Sequence, residues 1–372
     1  MFKTEDFDYC LPKKFIAQNP LSKRDESKLL VYDSVNDEVS HKMFLEVGNL
    51  LKKGDVIVVN VSRVIPARII FYENAKEREI FVLKRISKNR YQVMVRPGNA
   101  FKKGANVLLR KGIRSFVLEV LEDGTRIVDF LFDNKVDDAV SFINEIGQIP
   151  FPPYVGKTSA TPDQYQTVYA KNDGSVAAPT AGLHFTPELI SKLKNAGVEF
   201  EEIVLHVGRG TFLPVKSEYV KDHKMHAESY SLSKNTAFNL NKAKKEGRRI
   251  IAVGTTTVRV LESCYDLEDG FISGEGETDI FIYPENYKWK AVDSIITNYH
   301  LPKSTLLMLV ASFLEHKGAT APVEKLMYLY NIAKKHNYRF YSFGDAMFIF
   351  GGFKAFRSNS GEWLEDLYFV FF

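Results

Sequence analysis

The sequence predicts an α/β protein: a three-layer domain with a mainly parallel sheet, carrying an inserted small antiparallel β-barrel domain. Two textures along the chain and a skew in its charge predict this. From about residue 56 to 130, short β-rich runs follow one another: DVIVVNV, ARIIFY, EIFVLKRI, RYQVMVR, NVLLR, SFVLEVL and RIVDFLF. Strands so closely spaced, with Gly, Asn and Lys between them, suit an antiparallel sheet or small barrel. From about residue 177 strand and helix alternate, as in a sheet covered by helices. The expected division is a discontinuous α/β domain, residues 1–60 and 151–372, and an insert at 61–150.

Each later element has its own signal. Thr186 reads as an N-cap, with Pro187 at the first helical position and Glu188 in the first turn. Leu189, Ile190 and Leu193 give that helix its apolar face, and Gly197 closes it. VEFEEIVLHVG then reads as a strand. A helix over 236–246 ends at Gly247, and RIIAVG is the next strand. A helix over 257–265 precedes the strands DIFIY and SIITNYH. Helices over 304–315 and 323–335 follow, and RFYSFG is the last strand expected.

Composition narrows the class. With 372 residues, 45% hydrophobic and 26% charged, the chain suits a globular protein of two domains. Cys10 and Cys264 are far apart and have no metal spacing, which points to a reducing cytosol. The first residues, MFKTEDFDYC, lack the apolar core of a signal peptide. LLMLVASFL, the longest apolar run, is too short to span a bilayer. A cytoplasmic protein without membrane association is expected, acting as a monomer.

The net charge of +4 says little, but its distribution does. Residues 84–114 hold ten basic side chains and no Asp or Glu. Lys84, Arg85, Arg90, Arg96, Lys102, Lys103 and Arg110 are among them. This reads either as an ordinary basic surface or as a patch for a polyanion such as RNA. Tyr91 and Phe101 could stack on bases, although in strands such rings are more often core.

The chain has eight histidines, and five fall in loops rich in small or polar residues: PTAGLHF, LHVGRGTF, DHKMHAE and TNYHLPKST. In α/β sheets functional groups collect beyond the strand C-termini. His206 lies near such an end, with Gly208, Gly210 and Thr211 after it. His300 closes another strand ahead of Lys303 and Ser304. VGTTTVR repeats the design, with Gly254, Thr255, Thr256 and Arg259. His184 follows Thr180 and Gly182 and precedes Phe185. Glycine, hydroxyls and a cation at several strand ends suggest one convergent pocket, although any single histidine is equally at home in a core or capping role. His223, His226 and Glu228 of HKMHAE form a candidate metal trio, but the run has weak helical periodicity for i, i+3 ligands. The G-x-G of HVGRG leads into TFLPV and not a helix, so it is no dinucleotide fingerprint.

These runs together resemble one family, the S-adenosylmethionine:tRNA ribosyltransferase-isomerases of queuosine biosynthesis. The resemblance begins at FDYCLPKKFIAQNPLSKRDESKLLVYD and GDVIVVNVSRVIPARI. It is densest in YQTVYAKNDGSVAAPTAGLHFTPEL, LHVGRGTFLPV and HKMHAE. It continues through IAVGTTTVRVLES, DSIITNYHLPKSTLLMLV and YRFYSFGDAM, covering nearly the whole chain to Met347 in order. Val61, Gly156 and YPENYKWK depart from the family pattern, and about 22 residues after Phe350 lie beyond its usual end.

The resemblance implies transfer of the ribosyl part of S-adenosylmethionine to 7-aminomethyl-7-deazaguanine at the tRNA wobble position. The ribose rearranges, giving epoxyqueuosine-tRNA with release of adenine and methionine. S-adenosylmethionine is then a consumed cosubstrate, with no permanently bound cofactor and no metal. Such chemistry needs proton transfer by groups with pKa near working pH, which suits His184 and His206 first, then His300. His223 and His226 rank lower. Arg259 and Lys303 are candidates for the methionine carboxylate or an anticodon phosphate, and Asp345 for a substrate amino group. The turns at 208–211 and 254–256 would approach the nucleoside. Arg63 and Arg68 join the basic β-region as expected tRNA contacts. Two other classes stay open: a metal-dependent hydrolase using His223, His226 and Glu228, and a tRNA-binding protein without catalysis.

Overall fold

A computed structural model describes residues 1–73, 75–133, 138–208, 210 and 214–351. In chain order the strands and helices are β1 (Lys28–Asp33), β2 (Glu38–Met43), β3 (Val56–Asn60), β4 (Ser62–Val64), β5 (Arg68–Glu73), β6 (Lys76–Arg85), β7 (Arg90–Arg96), β8 (Asn106–Arg110), β9 (Ile113–Val120), β10 (Arg126–Phe132) and α1 (Ala139–Ile146). Then come β11 (Asn172–Ser175), α2 (Pro187–Asn195), β12 (Glu199–Leu205), β13 (Glu228–Leu232), α3 (Lys234–Lys245), β14 (Ile250–Val253), α4 (Thr255–Ser263), β15 (Tyr265–Asp266), β16 (Gly270–Phe271), β17 (Gly274–Thr278), β18 (Ser294–Asn298), α5 (Thr305–His316), α6 (Pro322–Lys335) and β19 (Ala346–Phe350).

The large sheet runs β17-β13-β12-β3-β14-β18-β19-β1-β2. Its central block, β12, β3, β14 and β18, is parallel, with Ile251 opposite Ser294 and Ile57. Antiparallel strands extend it on both sides, and β19 lies antiparallel to β18 but parallel to β1. β3 is buried along its whole length, because the pleat sends alternate residues into two cores. Val56 and Val58 meet the face covered by Leu240 of α3, Leu261 of α4, Leu309 of α5 and Leu329 of α6. Ile57 and Val59 meet Phe44, Leu189 and Leu193 on the other. Three layers result.

The helix starts follow from their caps. Thr186, Ser233 and Ser304 each accept the amide hydrogen of the residue three positions on, at the heads of α2, α3 and α5. Gly197, with φ +85°, ends the turn after α2 as expected. Two expected strands are absent. Residues 279–283, DIFIY, form a loop, and GEGET just before them takes the edge as β17. Gly276 has no side chain to clash with Tyr230, whose ring lies across it on the neighbouring strand. RFYSFG turns instead of extending, because Asp345 accepts the Arg339 amide hydrogen at 2.7 Å and Tyr341 takes φ +70°.

The smaller sheet runs β5-β6-β7-β10-β9-β8, antiparallel throughout, and β5 and β8 come together so that it nearly closes as a barrel. Tyr91, Val93, Val107, Leu109, Val128 and Phe130 point inward by strand alternation. α1 brings Phe142 and Ile143 into that core, and Asp138 caps it by accepting the Ser141 amide hydrogen at 2.8 Å. Residues 62–64 pair with β11, outside this sheet. Lys84 on β6 reaches Glu277 on β17, so an ion pair ties the barrel to the edge of the large sheet.

Candidate active site

Beyond the C-terminal ends of β12, β14 and β18 lies a cleft of about 560 Å3, open mouth included. Its walls are residues 178–181, 254–256, 297–301 and 341–342, with Tyr154. α4 starts here on Gly254, whose φ of +86° favours glycine. The amides of the first turn of α4 face this end of the helix without intrahelical partners, carrying its partial positive charge. Asn60, fully buried, holds the turn in place. Its Nδ2 donates to the Leu205 carbonyl and to Thr256 Oγ1, while its Oδ1 accepts from the Leu205 and Ser62 amides.

His300 is in the cleft. Its Nε2 is 2.9 Å from Thr297 Oγ1, its amide donates to the Tyr330 hydroxyl, and its carbonyl accepts from the Tyr9 hydroxyl. Burial pushes its imidazole down to about 3, so the ring is neutral at pH 7. Thr180, Thr255 and Thr256 line the same cleft.

His184 lies in a neighbouring recess, stacked 5.0 Å from the Phe44 ring. Nδ1 is 2.7 Å from Ser27 Oγ and Nε2 is 3.3 Å from Oδ1 of Asn298, which is itself a cleft residue. Burial pushes this imidazole down to about 4. His206 is elsewhere again. Its ring packs on Gly174, where a Cβ would come within 2.7 Å of Nδ1. Burial lowers its pKa while Asp173 opposes the shift, and Nδ1 has no hydrogen-bond partner among the described residues. The three histidines expected to converge therefore occupy three positions.

A second cavity, about 1110 Å3 with its mouth, collects Gly210, His223, His226, Glu228 and Arg259. Arg259 and Glu228 form a buried ion pair, and Glu228 Oε1 also accepts the Gly208 amide hydrogen at 2.6 Å. Arg259 Nη2 donates to the Thr278 carbonyl. Glu228 is thus committed to Arg259 and the Gly208 amide, and His223 lies edge-on to Phe281. Among the described residues no group of three or more His, Cys, Asp or Glu is placed to hold a metal.

Other expected contacts are engaged within the protein. Lys303 pairs with Glu5 and Asp8, and Ser304 caps α5. Asp345 accepts from the Lys28 amide and from the Arg339 amide and guanidinium. Phe185 is core, packed edge-on against Phe44 and Phe200. Gly182 has no room for a side chain, since a Cβ would sit 2.0 Å from the Tyr169 hydroxyl. Thr211 lies outside the described residues.

The basic barrel surface divides in two. Arg68, Lys84, Arg90 and Arg110 pair with Glu79, Glu277, Asp129 and Glu145, acids supplied by other parts of the chain than residues 84–114. Arg63, Arg85, Arg96, Lys102 and Lys103 have no ion pair among the described residues. Tyr91 and Phe101 are buried in the barrel core.

Sequence reasoning missed Tyr154, Thr297, Asn298, Tyr341 and Ser342, all in the cleft wall. Asn298 and Thr297 end the strand SIITNYH, so the strand-end rule that singled out His300 could have found them. Tyr341 and Ser342 lie inside RFYSFG, a run with a strand's composition.

Fold and cleft together define an α/β protein with a strand-end cleft in its large sheet and a barrel fixed beside that sheet. A family model described as queuosine biosynthesis protein matches residues 4–349, and the chain belongs to that family. A curated relative from Carboxydothermus hydrogenoformans, named S-adenosylmethionine:tRNA ribosyltransferase-isomerase, is 48% identical over 93% of this chain and 99% of its own. One of the same name from Fusobacterium nucleatum is 44% identical over 93% of this chain and 96% of its own. The solved S-adenosylmethionine tRNA ribosyltransferase of Thermotoga maritima is 38% identical, covers 92% of this chain and 99% of its own, and superposes with a TM-score of 0.51. Neither the hydrolase nor the binding protein without catalysis finds support among these relatives.

Proposed function

We propose that this enzyme transfers and isomerises the ribosyl moiety of S-adenosylmethionine onto 7-aminomethyl-7-deazaguanine at the tRNA wobble position. The products are epoxyqueuosine-tRNA, adenine and methionine. One observation beyond family membership supports the reading most. The cleft at the strand ends is lined by the imidazole of His300 and by the hydroxyls of Thr180, Thr255 and Thr256, groups that can move protons beside a bound nucleoside.

A base removes the proton from the carbon beside the sulfonium, and adenine leaves. The aminomethyl nitrogen then attacks, and the oxirane closes as methionine departs. His300 is the proton-transfer residue in this reading because its ring stands in the cleft; burial makes it a weak base, so the acidity that the sulfonium confers on the adjacent carbon has to carry the step. Asn298 holds the substrate beside it, and His184 backs Asn298 from the recess side. His206, packed away from the cleft, supports β11. Arg63, Arg85, Arg96, Lys102 and Lys103 draw in the tRNA, whose target base leaves its stack to enter the cleft. In domain terms, residues 1–60 and 151–372 carry the chemistry and 61–150 the tRNA surface. The protein acts in the cytoplasm as a monomer.

The test incubates the purified protein with S-adenosylmethionine and tRNA carrying the deazaguanine precursor. Adenine and epoxyqueuosine-tRNA form in equal amounts if the reading holds. Folded protein that binds the tRNA yet releases no adenine would sink it.

A further inference from the structure

Arg24 and Arg339 both line the recess beside His184, about 310 Å3 with its mouth, and no Asp or Glu lines it. Arg24 donates to the Gln166 and Asp163 carbonyls at 2.6 and 2.8 Å and forms no ion pair among the described residues. Burial lowers its pKa, with the Asp163 carboxylate opposing from a distance. Arg339 shares Asp345 with two backbone amides, one of them its own. The recess thus holds two guanidiniums, a neutral imidazole and the hydroxyls of Ser27 and Ser342. A partly buried cation without a counter-ion is costly, and a bound anion relieves that cost.

We infer that this recess binds a carboxylate, namely that of the methionine moiety of S-adenosylmethionine; the inference rests on the function proposed above. Ser342, buried and bonded to the Tyr154 hydroxyl, stands in the wall of both the recess and the strand-end cleft, so the two adjoin; the inference places the nucleoside in the cleft and the amino-acid end in the recess. A guanidinium fork matches a carboxylate in bidentate geometry. Arg259 and Lys303 are paired with Glu228, Glu5 and Asp8, and Arg339 with Asp345, which leaves Arg24 as the recess cation without an ion pair among the described residues, with the Arg339 guanidinium beside it. The small size of the recess favours a carboxylate on a thin aliphatic chain over a phosphate within an RNA backbone.

The test compares S-adenosylmethionine with its decarboxylated analogue, by calorimetry and by KM, on the full-length chain. The unaltered protein should prefer the carboxylate form by about 10- to 100-fold. Arg24→Gln, which leaves the Arg339–Asp345 pair intact, should weaken S-adenosylmethionine binding by that factor and leave the analogue within about twofold, so the preference collapses. Arg339→Lys should retain part of the preference and Arg339→Gln lose it. A merely structural arginine would weaken both ligands equally, and that outcome overturns the inference. So does a variant that raises KM for tRNA and flattens its salt dependence while ligand preference is unchanged, which would assign the recess to a phosphate. Absence of adenine release by the unaltered protein would sink the proposed function itself, a separate result.

Discussion

In the large-sheet domain, Arg259 and Glu228 of the second cavity are almost wholly buried and paired, and His300 of the cleft and His184 of the recess beside it are held neutral. On the barrel, Lys102 and Lys103 stand in solvent, while Arg90 and Arg110 are tied to Asp129 and Glu145. Charge in the first region is fixed in place and shielded from water. Charge in the second is screened by salt and free to attract a polyanion. Under the proposed function, reaction geometry draws on the first arrangement and encounter with tRNA on the second.

Breaking the buried pair is the severest test of that contrast. Arg259→Met leaves the Glu228 carboxylate buried without its cation, and should cost about 3–5 kcal/mol in a denaturant titration. On the barrel, Arg90→Gln breaks an exposed pair and should leave the denaturation midpoint almost unchanged. Equal losses would erase the distinction between the regions.

Turnover should separate them next. His300→Gln should lower kcat by about 10²- to 10⁴-fold while tRNA affinity stays within about twofold. His184→Ala acts through Asn298 and should lower kcat by up to about 10²-fold. A His300→Gln protein with near-normal kcat would remove His300 from the chemistry.

Acid stability gives a third, smaller effect. Both histidines have folded pKa values below the unfolded value of about 6.5, so the unfolded chain binds more protons once pH falls under it. Their contribution is complete above about pH 6.5 and declines as pH falls, towards pH 4 for His184 and pH 3 for His300, by about 1.4 kcal/mol per unit for each ring. In His300→Gln the acid-side slope of stability against pH should be shallower.

The mildest effect belongs to the barrel. Replacing Lys102 and Lys103 together by Gln should reduce the slope of log K for tRNA against log salt by about 0.7–0.9 per cation. The Arg90 and Arg110 pair of substitutions should change it less, because acids already neutralise them. The reverse order would mean that the exposed lysines do not face the RNA.

The same contrast explains what could be read in the sequence. Strand alternation in RYQVMVR and RIVDFLF exposes the barrel, because each strand needs only its own period of two. The caps at Thr186 and Ser304 and the glycine at 254 are local too, and they place the helices to within a few residues. What stayed hidden depends on partners distant in sequence. DIFIY has a strand's composition, but β13 pairs with GEGET. The acid-free run 84–114 conceals pairing, since Glu79, Asp129, Glu145 and Glu277 lie outside it. Of the candidate site, the strand-end rule found His300 and the 254–256 turn. It could not tell that His184, His206 and His300 face different surroundings, because burial and hydrogen-bond partners come from other elements.

The Asn298 amide carries one consequence beyond its place in the wall. Its Nδ2 donates to the Tyr341 carbonyl at 2.9 Å, which cannot donate in return. The side chain therefore cannot flip, and Oδ1 must face His184. Nε2 of that ring must then carry the hydrogen, and Nδ1 must accept from Ser27. A single main-chain carbonyl dictates the direction of every hydrogen bond in this file of side chains and selects the imidazole tautomer. Converting Asn298 to Asp would leave that carbonyl facing an acceptor, and the tautomer would lose its determinant.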